Sequence, residues 1–460
     1  MCGLRVLVVG ASIAGPATAY WLARAGARVT VIEHAKALRT NGQAIDIRSI
    51  GVNAMRMIPG MEAAVRGRTV PIAGINFVGS SGRPYATIGR TGDPDQQSLV
   101  SEFEILRGDL SRILYDLTKD DNRINYVFRE QVAAIAQPNA QRGGDDAIAS
   151  ENAAPVIVEF ENGSPRTEYD LVVACDGAHS KTRALGLGSA FNKQKHIHST
   201  NCWAAYFTLK DNLLAGTDNT QFGHAYSAPG GRWAALGPFP NNNGSLGTFM
   251  KYSLPGNEQV MVPFREASSS GTNTLKDYIS ETYRGAGWKV NDILDGMKHA
   301  EDFHATEIVQ VRLPCFHKGS NFALVGDAGY AGAAGAGTSL ALAGAYILAG
   351  EIKRAGAGNG GDLATALNAY SERMRPIVQD LQKTPPMLHT IMAPQTAVGV
   401  AVRNALFGVV SWSGVVGLAH RFLGGVFENP EKFKLPEYGF GDKVEYTAHA
   451  ENSKRLPSVY

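Results

Sequence analysis

Residues 4–35 read LRVLVVGASIAGPATAYWLARAGARVTVIEHA, and this stretch sets the fold class. Leu4–Val9 is a short apolar run rich in valine, as expected of a parallel strand buried on both faces. The run stops at Gly10, and Ala14, Ala17, Ala19, Leu22 and Ala23 follow at helical spacing. Gly26 closes that helix, and Val29–Ile32 is a second apolar run. The pattern is a β-α-β unit whose turn runs Gly10, Ala11, Ser12, Ile13, Ala14, Gly15. Small residues there let a pyrophosphate approach the backbone amides at a helix N-terminus. Glu33 ends the second strand, about twenty residues past the turn, where a carboxylate can accept the ribose hydroxyls of an adenosine. Ser12 stands where the dinucleotide-binding pattern has its middle glycine, so a merely tight strand–helix turn is the competing reading.

The remainder bounds the class of protein. At 460 residues the chain has room for two or three domains. Charged residues make up 19% and the net charge is +2, which gives no field directed at nucleic acid or an anionic membrane. Cys2, Cys175, Cys202 and Cys315 are scattered without metal-ligand spacing, which points to reduced thiols and no metal site. Those thiols, and a first strand that begins at Leu4 with no secretory pattern before it, predict a cytoplasmic protein. Residues 405–419, ALFGVVSWSGVVGLA, are uncharged but shorter than the about 18–20 residues that span a bilayer. A helix packed on the protein body is expected there, with an interfacial helix as the alternative.

Along the chain, Gly42–Arg48 reads as a strand, Val52–Arg66 as a broken helix and Ile75–Arg90 as a hairpin. Arg48 is either a ligand for a cofactor or substrate anion or an ordinary surface arginine. Ser101–Thr118 has the spacing of a helix, with Arg107 near its start, and Asn125–Ala136 reads as a strand. Pro155–Phe160 and Tyr169–Ala174 are predicted strands, followed by Cys175, Asp176 and Gly177 at a strand end. From His196 to Pro263 aromatic strands separated by turns predict a second, largely antiparallel sheet. Its rings can fill a core or wall a pocket for a flat apolar ligand. Phe322–Val325 then repeats the opening theme as a buried strand, with Gly326 and Asp327 as its turn and Gly337–Lys353 as a long helix. Beyond Asn359 the pattern is helical to about Glu428, broken at Pro376, Pro385, Pro386 and Pro394, with a poorly structured tail after Pro430.

GASIAG with Glu33, the strand-end CDG and the GDAG…GAGTS stretch, in that order, resemble the FAD-dependent aromatic hydroxylases related to para-hydroxybenzoate hydroxylase. The resemblance covers nearly the whole chain. It implies an α/β fold: a Rossmann-type FAD-binding domain, an inserted mainly antiparallel substrate domain and a C-terminal helical segment. The corresponding divisions are 1–75, 101–190 and 300–370 for FAD, 76–100 and 191–299 for substrate, and 371–460 for the C-terminal region. It further implies Gly10, Ser12, Ile13, Ala14 and Gly15 on the FAD pyrophosphate, Glu33 on the adenosine ribose, and Arg107 on the ribityl-phosphate side. Asp176 and Gly177 belong to the family's motif for FAD and the nicotinamide donor, and Gly326 and Asp327 to the ribityl site. Gly337 and Thr338 open a helix whose N-terminal amides favour negative charge at the flavin edge. Arg48 completes the cofactor candidates.

The implied activity is an FAD-dependent monooxygenase that takes electrons from NADPH or NADH. With O2 it hydroxylates or epoxidises a small aromatic or polyketide-like secondary metabolite. The loop Tyr330–Ala336, YAGAAGA, departs from the family's pattern: it is shorter and lacks the proline that relatives carry beside the flavin. That departure keeps a flavoprotein oxidase, dehydrogenase or redox-neutral cyclase as the alternative, and a non-catalytic dinucleotide-binding protein as a third. No general base is named by the sequence. His224, Tyr226 and Arg232 on the second sheet are the substrate-side candidates, and His304 is a further histidine of interest.

Overall fold

The computed structural model describes residues 3–39, 43–92, 100–136, 154–188, 191–217, 220–240, 243–254, 256, 258–332, 335–357, 361–383, 391, 393–412 and 434–440. A six-stranded sheet runs in the order His317–Lys318, Phe322–Leu324, Leu171–Ala174, Arg5–Val9, Arg28–Glu33, Ile124–Phe128. Every neighbouring pair is parallel except the first. Val9 pairs with Ala174 on one side and Ile32 on the other, and Ala174 pairs with Leu324. This register brings the carboxyl ends of three strands, distant in sequence, to one edge. Gly10, Asp176 and Asp327 follow those ends, at the edge where open α/β sheets hold ligands. Val6, Leu7, Val8, Val31 and Val172 are wholly buried, because the helices Ala14–Arg24 and Gly337–Arg354 and their neighbours cover the sheet.

The second sheet has seven strands, in the order His304–Val311, Ile197–Leu209, Ser245–Tyr252, Arg232–Pro238, Phe222–Ala228, Gly74–Val78, Pro84–Gly89. It is antiparallel apart from the pairing of Phe222–Ala228 with Gly74–Val78. Alternation along its strands sends Trp203, Phe207, Tyr226, Leu236 and Phe249 to one face, where the helices Val262–Ser269, Thr272–Tyr283 and Val290–His299 complete a core. Tyr206, Thr208, Trp233, Ala235 and Met250 alternate with these residues and belong to the other face.

Several expectations are corrected. The helix expected over Ser101–Thr118 spans only Arg107–Asp116. Glu104–Leu106 is a strand, paired antiparallel with Ala44–Asp46, so the leucine spacing is helical only from residue 106 on. The strand expected over Asn125–Ala136 is two, Ile124–Phe128 and Val132–Ala136. Arg129 between them sits at φ +60°, which turns the chain out of the parallel sheet into a small antiparallel one. Pro376 does not break its helix, which runs unbroken over Leu363–Leu381. The tail is ordered in part: Tyr438 is buried on the Gly337–Arg354 helix, and the Phe440 ring lies 5.0 Å from that of Trp21. The hydrophobic stretch 405–419 is helical up to Trp412, and its remainder lies outside the described residues. Among the described residues no helix is long and apolar enough to cross a membrane.

Candidate active site

The turn after the first strand is shaped by close approach. Gly10 has φ +105°, and a Cβ on it would lie 2.8 Å from the Cys175 carbonyl oxygen. A Cβ on Gly15 would lie 1.7 Å from the Gly10 carbonyl oxygen, so the helix start and the strand end touch through backbone alone. Glu33 is buried, and its carboxylate accepts the Ala11 N–H at 2.9 Å and the Ala35 N–H at 3.0 Å. It therefore braces the turn from the neighbouring strand. Ser12 does more than stand in for a glycine: its hydroxyl accepts a hydrogen bond from Arg107 Nε at 3.3 Å. Ile13 and Ala14 are buried at the helix start behind it.

Arg107 opens its helix directly after the Glu104–Leu106 strand. Burial works against its charge, and the carboxylates of Asp327 and Glu33 support it. Asp327 follows Gly326, whose φ is +68° and whose Cβ would lie 2.9 Å from that of Ala14. Burial pushes the Asp327 carboxyl up, and Arg107 pulls it back down. Its Oδ1 also lies 3.4 Å from where a Gly337 Cβ would be, at the start of the 18-residue Gly337–Arg354 helix that also holds Thr338. A groove of about 450 Å³ beside this cluster is lined by Ser12, Lys36, Arg39, Gln43, Arg107 and His304. Glycine-only contacts, a helix N-terminus and three cations fit the diphosphate and ribityl chain of FAD. FAD supplies electron transfer and oxygen chemistry when bound.

Asp176 lies against Gly10 but is occupied within its own turn. Its carboxylate accepts the Ser180 hydroxyl and, at 3.2 Å, the Thr182 N–H. Ser180 caps the following helix, and buried Arg183 ties that turn to the Ala328 carbonyl at 2.8 Å. The structure thus places Asp176 where it organises the loop, with Gly177 at φ +87° open on its Cβ side. Arg48 also has a partner: its Nη2 lies 3.0 Å from Asp46 Oδ2, and its backbone N–H donates to Ser339 Oγ at 2.8 Å. The loop expected to border the flavin starts at Tyr330, which is buried and donates its hydroxyl to Leu340 O, while residues 333–334 lie outside the described residues.

A second cavity, of about 360 Å³, lies between the seven-stranded sheet and the short pair Ala44–Asp46 and Glu104–Leu106. Ile75, Tyr206, Thr208, Trp233, Leu246 and Met250 are among its walls. Of the substrate-side candidates only His224 borders it, through its strand. The imidazole alternates to the helix-covered face, where its Nε2 is 3.4 Å from Asn76 Nδ2 and burial lowers its pKa. Tyr226 donates its hydroxyl to Ala286 O at 2.7 Å, and Arg232 donates to the carbonyls of Pro229, Thr282 and Arg284. Both tie the sheet to its helices, on the side away from the cavity. Sequence reasoning missed the cavity's charged wall, Asp46 and Glu104, which face each other across strands far apart in sequence. The available signal was a lone acid inside each of two short apolar runs, AIDI and FEIL.

Comparison with known proteins shows the family. Residues 3–384 match a family model described as an FAD binding domain. FAD-dependent monooxygenase asL4 of Sarocladium schorii is 30% identical over 454 residues, covering 95% of this chain and 98% of that protein. Flavin-dependent monooxygenase eupH of Phoma sp is 29% identical and covers 96% of this chain and 100% of its own. The crystal structure of tetracycline destructase Tet(51) aligns with a TM-score of 0.70 at 25% identity, covering 95% of this chain and 100% of that one. The chain therefore belongs to the FAD-binding monooxygenases of the para-hydroxybenzoate hydroxylase type, and it is an FAD-dependent monooxygenase.

Proposed function

We propose that this monooxygenase takes electrons from NADPH or NADH and, with O2, hydroxylates or epoxidises a small aromatic or polyketide-like secondary metabolite. The observation that carries this reading is the cavity of about 360 Å³, walled by Tyr206, Trp233, Met250, Leu246 and Ile75 with Thr208 and Thr248 among them. Mostly apolar walls with a few fixed polar groups suit a flat ring compound bearing oxygen substituents. In this reading Gly10, Ser12, Gly15, Arg107, Asp327 and Gly337 hold FAD. Glu33 and Asp176 brace its turn, and Arg48 fixes the wall between cofactor and substrate. The sheet residues exclude water and orient the ring.

The test is anaerobic mixing of the FAD-loaded protein with NADPH, then NADH, alone and with a panel of phenols. Admission of isotopically labelled O2 follows. Bleaching of the flavin and one labelled oxygen atom in a product are the expected results. A flavin that stays oxidised with both donors across the whole panel would refute the proposal.

A further inference from the structure

The wall of the substrate cavity carries a feature that holding a ring does not require. Asp46 and Glu104 are directly opposite each other in the antiparallel pair Ala44–Asp46 and Glu104–Leu106, and both line the cavity. Residues opposite each other in such a pair share one face, with Cβ atoms about 4.5–5.5 Å apart, and like charges there repel. The two carboxyls are not equivalent. Asp46 Oδ2 accepts Arg48 Nη2 at 3.0 Å and Nε at 3.1 Å, while its Oδ1 is buried and has no hydrogen-bond partner among the described residues. No hydrogen bond or ion pair from a described residue reaches the Glu104 carboxyl.

We propose that Glu104 is the proton-exchanging residue of this cavity, a general base for a hydroxyl of the substrate, with Asp46 opposite it as the positioning residue. The inference rests on the proposed function for the identity of the cavity. In its ionised form Glu104 takes the proton of a substrate O–H. The O–H bond breaks, its electron pair stays on the substrate oxygen, and a new O–H bond forms on the carboxylate. The resulting oxyanion pushes electron density into the ring, which makes it a better target for an electrophilic oxygen. After oxidation the proton returns to the oxygen, and the residue is unchanged.

Electrostatics support the assignment. Burial first, and the neighbouring Asp46 charge second, push the Glu104 carboxyl up to about 8, against the pull of Arg48 and Arg90. Burial likewise raises Asp46, with Arg48 and Arg90 opposing. Arg90 is itself shared, 3.9 Å from Glu102 and donating to the Val70 carbonyl. Across the cavity Asp302 is anchored on Thr208, and the His224 imidazole belongs to the far face of its sheet. A base with a pKa near the working pH is the efficient kind, and such groups contribute about 10²–10⁴-fold to rate.

The experiment uses the full FAD-loaded chain and has two arms. In infrared difference spectra recorded across pH without ligand, the wild type is expected to lose a protonated-carboxyl band as pH rises through about 8. The Glu104→Gln variant lacks that band, and Asp46→Asn loses it at lower pH because the adjacent negative charge is gone. The second arm binds 2-naphthol, whose absorption separates phenol from phenolate. The bound probe ionises in the wild type, with an ionised fraction lower by about tenfold or more in Glu104→Gln. A band that persists in Glu104→Gln, or equal ionisation in both proteins, overturns the assignment. A band that behaves as expected in a protein that binds no phenol overturns the substrate reading instead, and with it the residue's role toward substrate.

Discussion

Gly15 offers the sharpest test of the nucleotide end. In Gly15→Ala the new methyl group would sit 1.7 Å from the Gly10 carbonyl oxygen and 2.9 Å from its carbon. The obstacle is backbone and cannot swing aside. Gly10 is itself pinned, with its N–H donating to Ile32 O at 2.8 Å and its Cβ side closed by the Cys175 carbonyl. Relief requires the start of the Ala14–Arg24 helix to move off the end of the central strand. Overpacking against side chains costs about 1–3 kcal/mol. A clash with fixed backbone belongs at the top of that range, and about 3 kcal/mol is a factor of about 150 in an equilibrium constant. That displacement falls in the turn assigned to the FAD pyrophosphate, so the Kd for FAD is expected to rise by about a hundredfold. Gly319→Ala, outside the cofactor candidates, is the control. It keeps φ near +56° with nothing within 4 Å of the added carbon, so it carries only the left-handed penalty of about 1–2 kcal/mol. The assay titrates FAD into each apoprotein by quenching of flavin fluorescence, with the apoprotein's thermal midpoint recorded beside it. Gly15→Ala binding FAD within about threefold of wild type, less than 1 kcal/mol, would refute the argument.

Other expectations follow from named contacts. Arg107 and Asp327 support each other's charge, so a double-alanine cycle read by FAD affinity should show a coupling of about 1 kcal/mol or more. Additive losses would mean that the two do not act together. Tyr438→Phe removes a 2.6 Å hydrogen bond to Glu351, whose carboxylate is 3% exposed, and should destabilise the protein by about 1.5–3 kcal/mol in thermal or denaturant unfolding. For Glu130, burial acts upward on the carboxyl, but hydrogen bonds from Ser164, Gln131 and Asn162 outweigh it and leave its pKa lowered. A depressed pKa stabilises the fold above the unfolded-state value, and that contribution fades as pH falls through and below about 4.5. Glu130→Gln should therefore lose stability at neutral pH and depend less on pH in the acid range. An acid-unfolding curve parallel to wild type would count against the network.

The fold was largely legible because its signals are local. The run Leu4–Val9, the turn at Gly10 and the Val29–Ile32 run each declare themselves within a few residues. The GDAG stretch repeats the same strand–turn–helix grammar late in the chain. The substrate side was harder for a physical reason. Alternation says that His224 and Tyr226 share a face but not which face the helices cover, and they cover that one. Tyr226 and Arg232 therefore join sheet to helices. The Asp46–Glu104 pairing was invisible because it depends on register between strands about which neither segment carries information alone. Glu104 was also absorbed into an expected helix, since the leucines after it dominate the periodicity of that window.

The ordered segment around Tyr438 has a consequence for how the protein is made. Tyr438 packs against Gly350, the Tyr346 hydroxyl donates to Pro436 O at 2.7 Å, and Phe440 meets Trp21 of the first helix. The sheet built on Arg5–Val9 also waits for Phe322–Leu324 to join it. The unit begun at Arg5–Val9 is thus completed only once Phe322–Leu324 and Pro436–Phe440 have been made. Its apolar surfaces must stay available through most of synthesis, exposed to mispairing and to chaperones. Translation that stalls before residue 434 would yield a nascent chain with an unfinished nucleotide unit, however much of its sequence were already present.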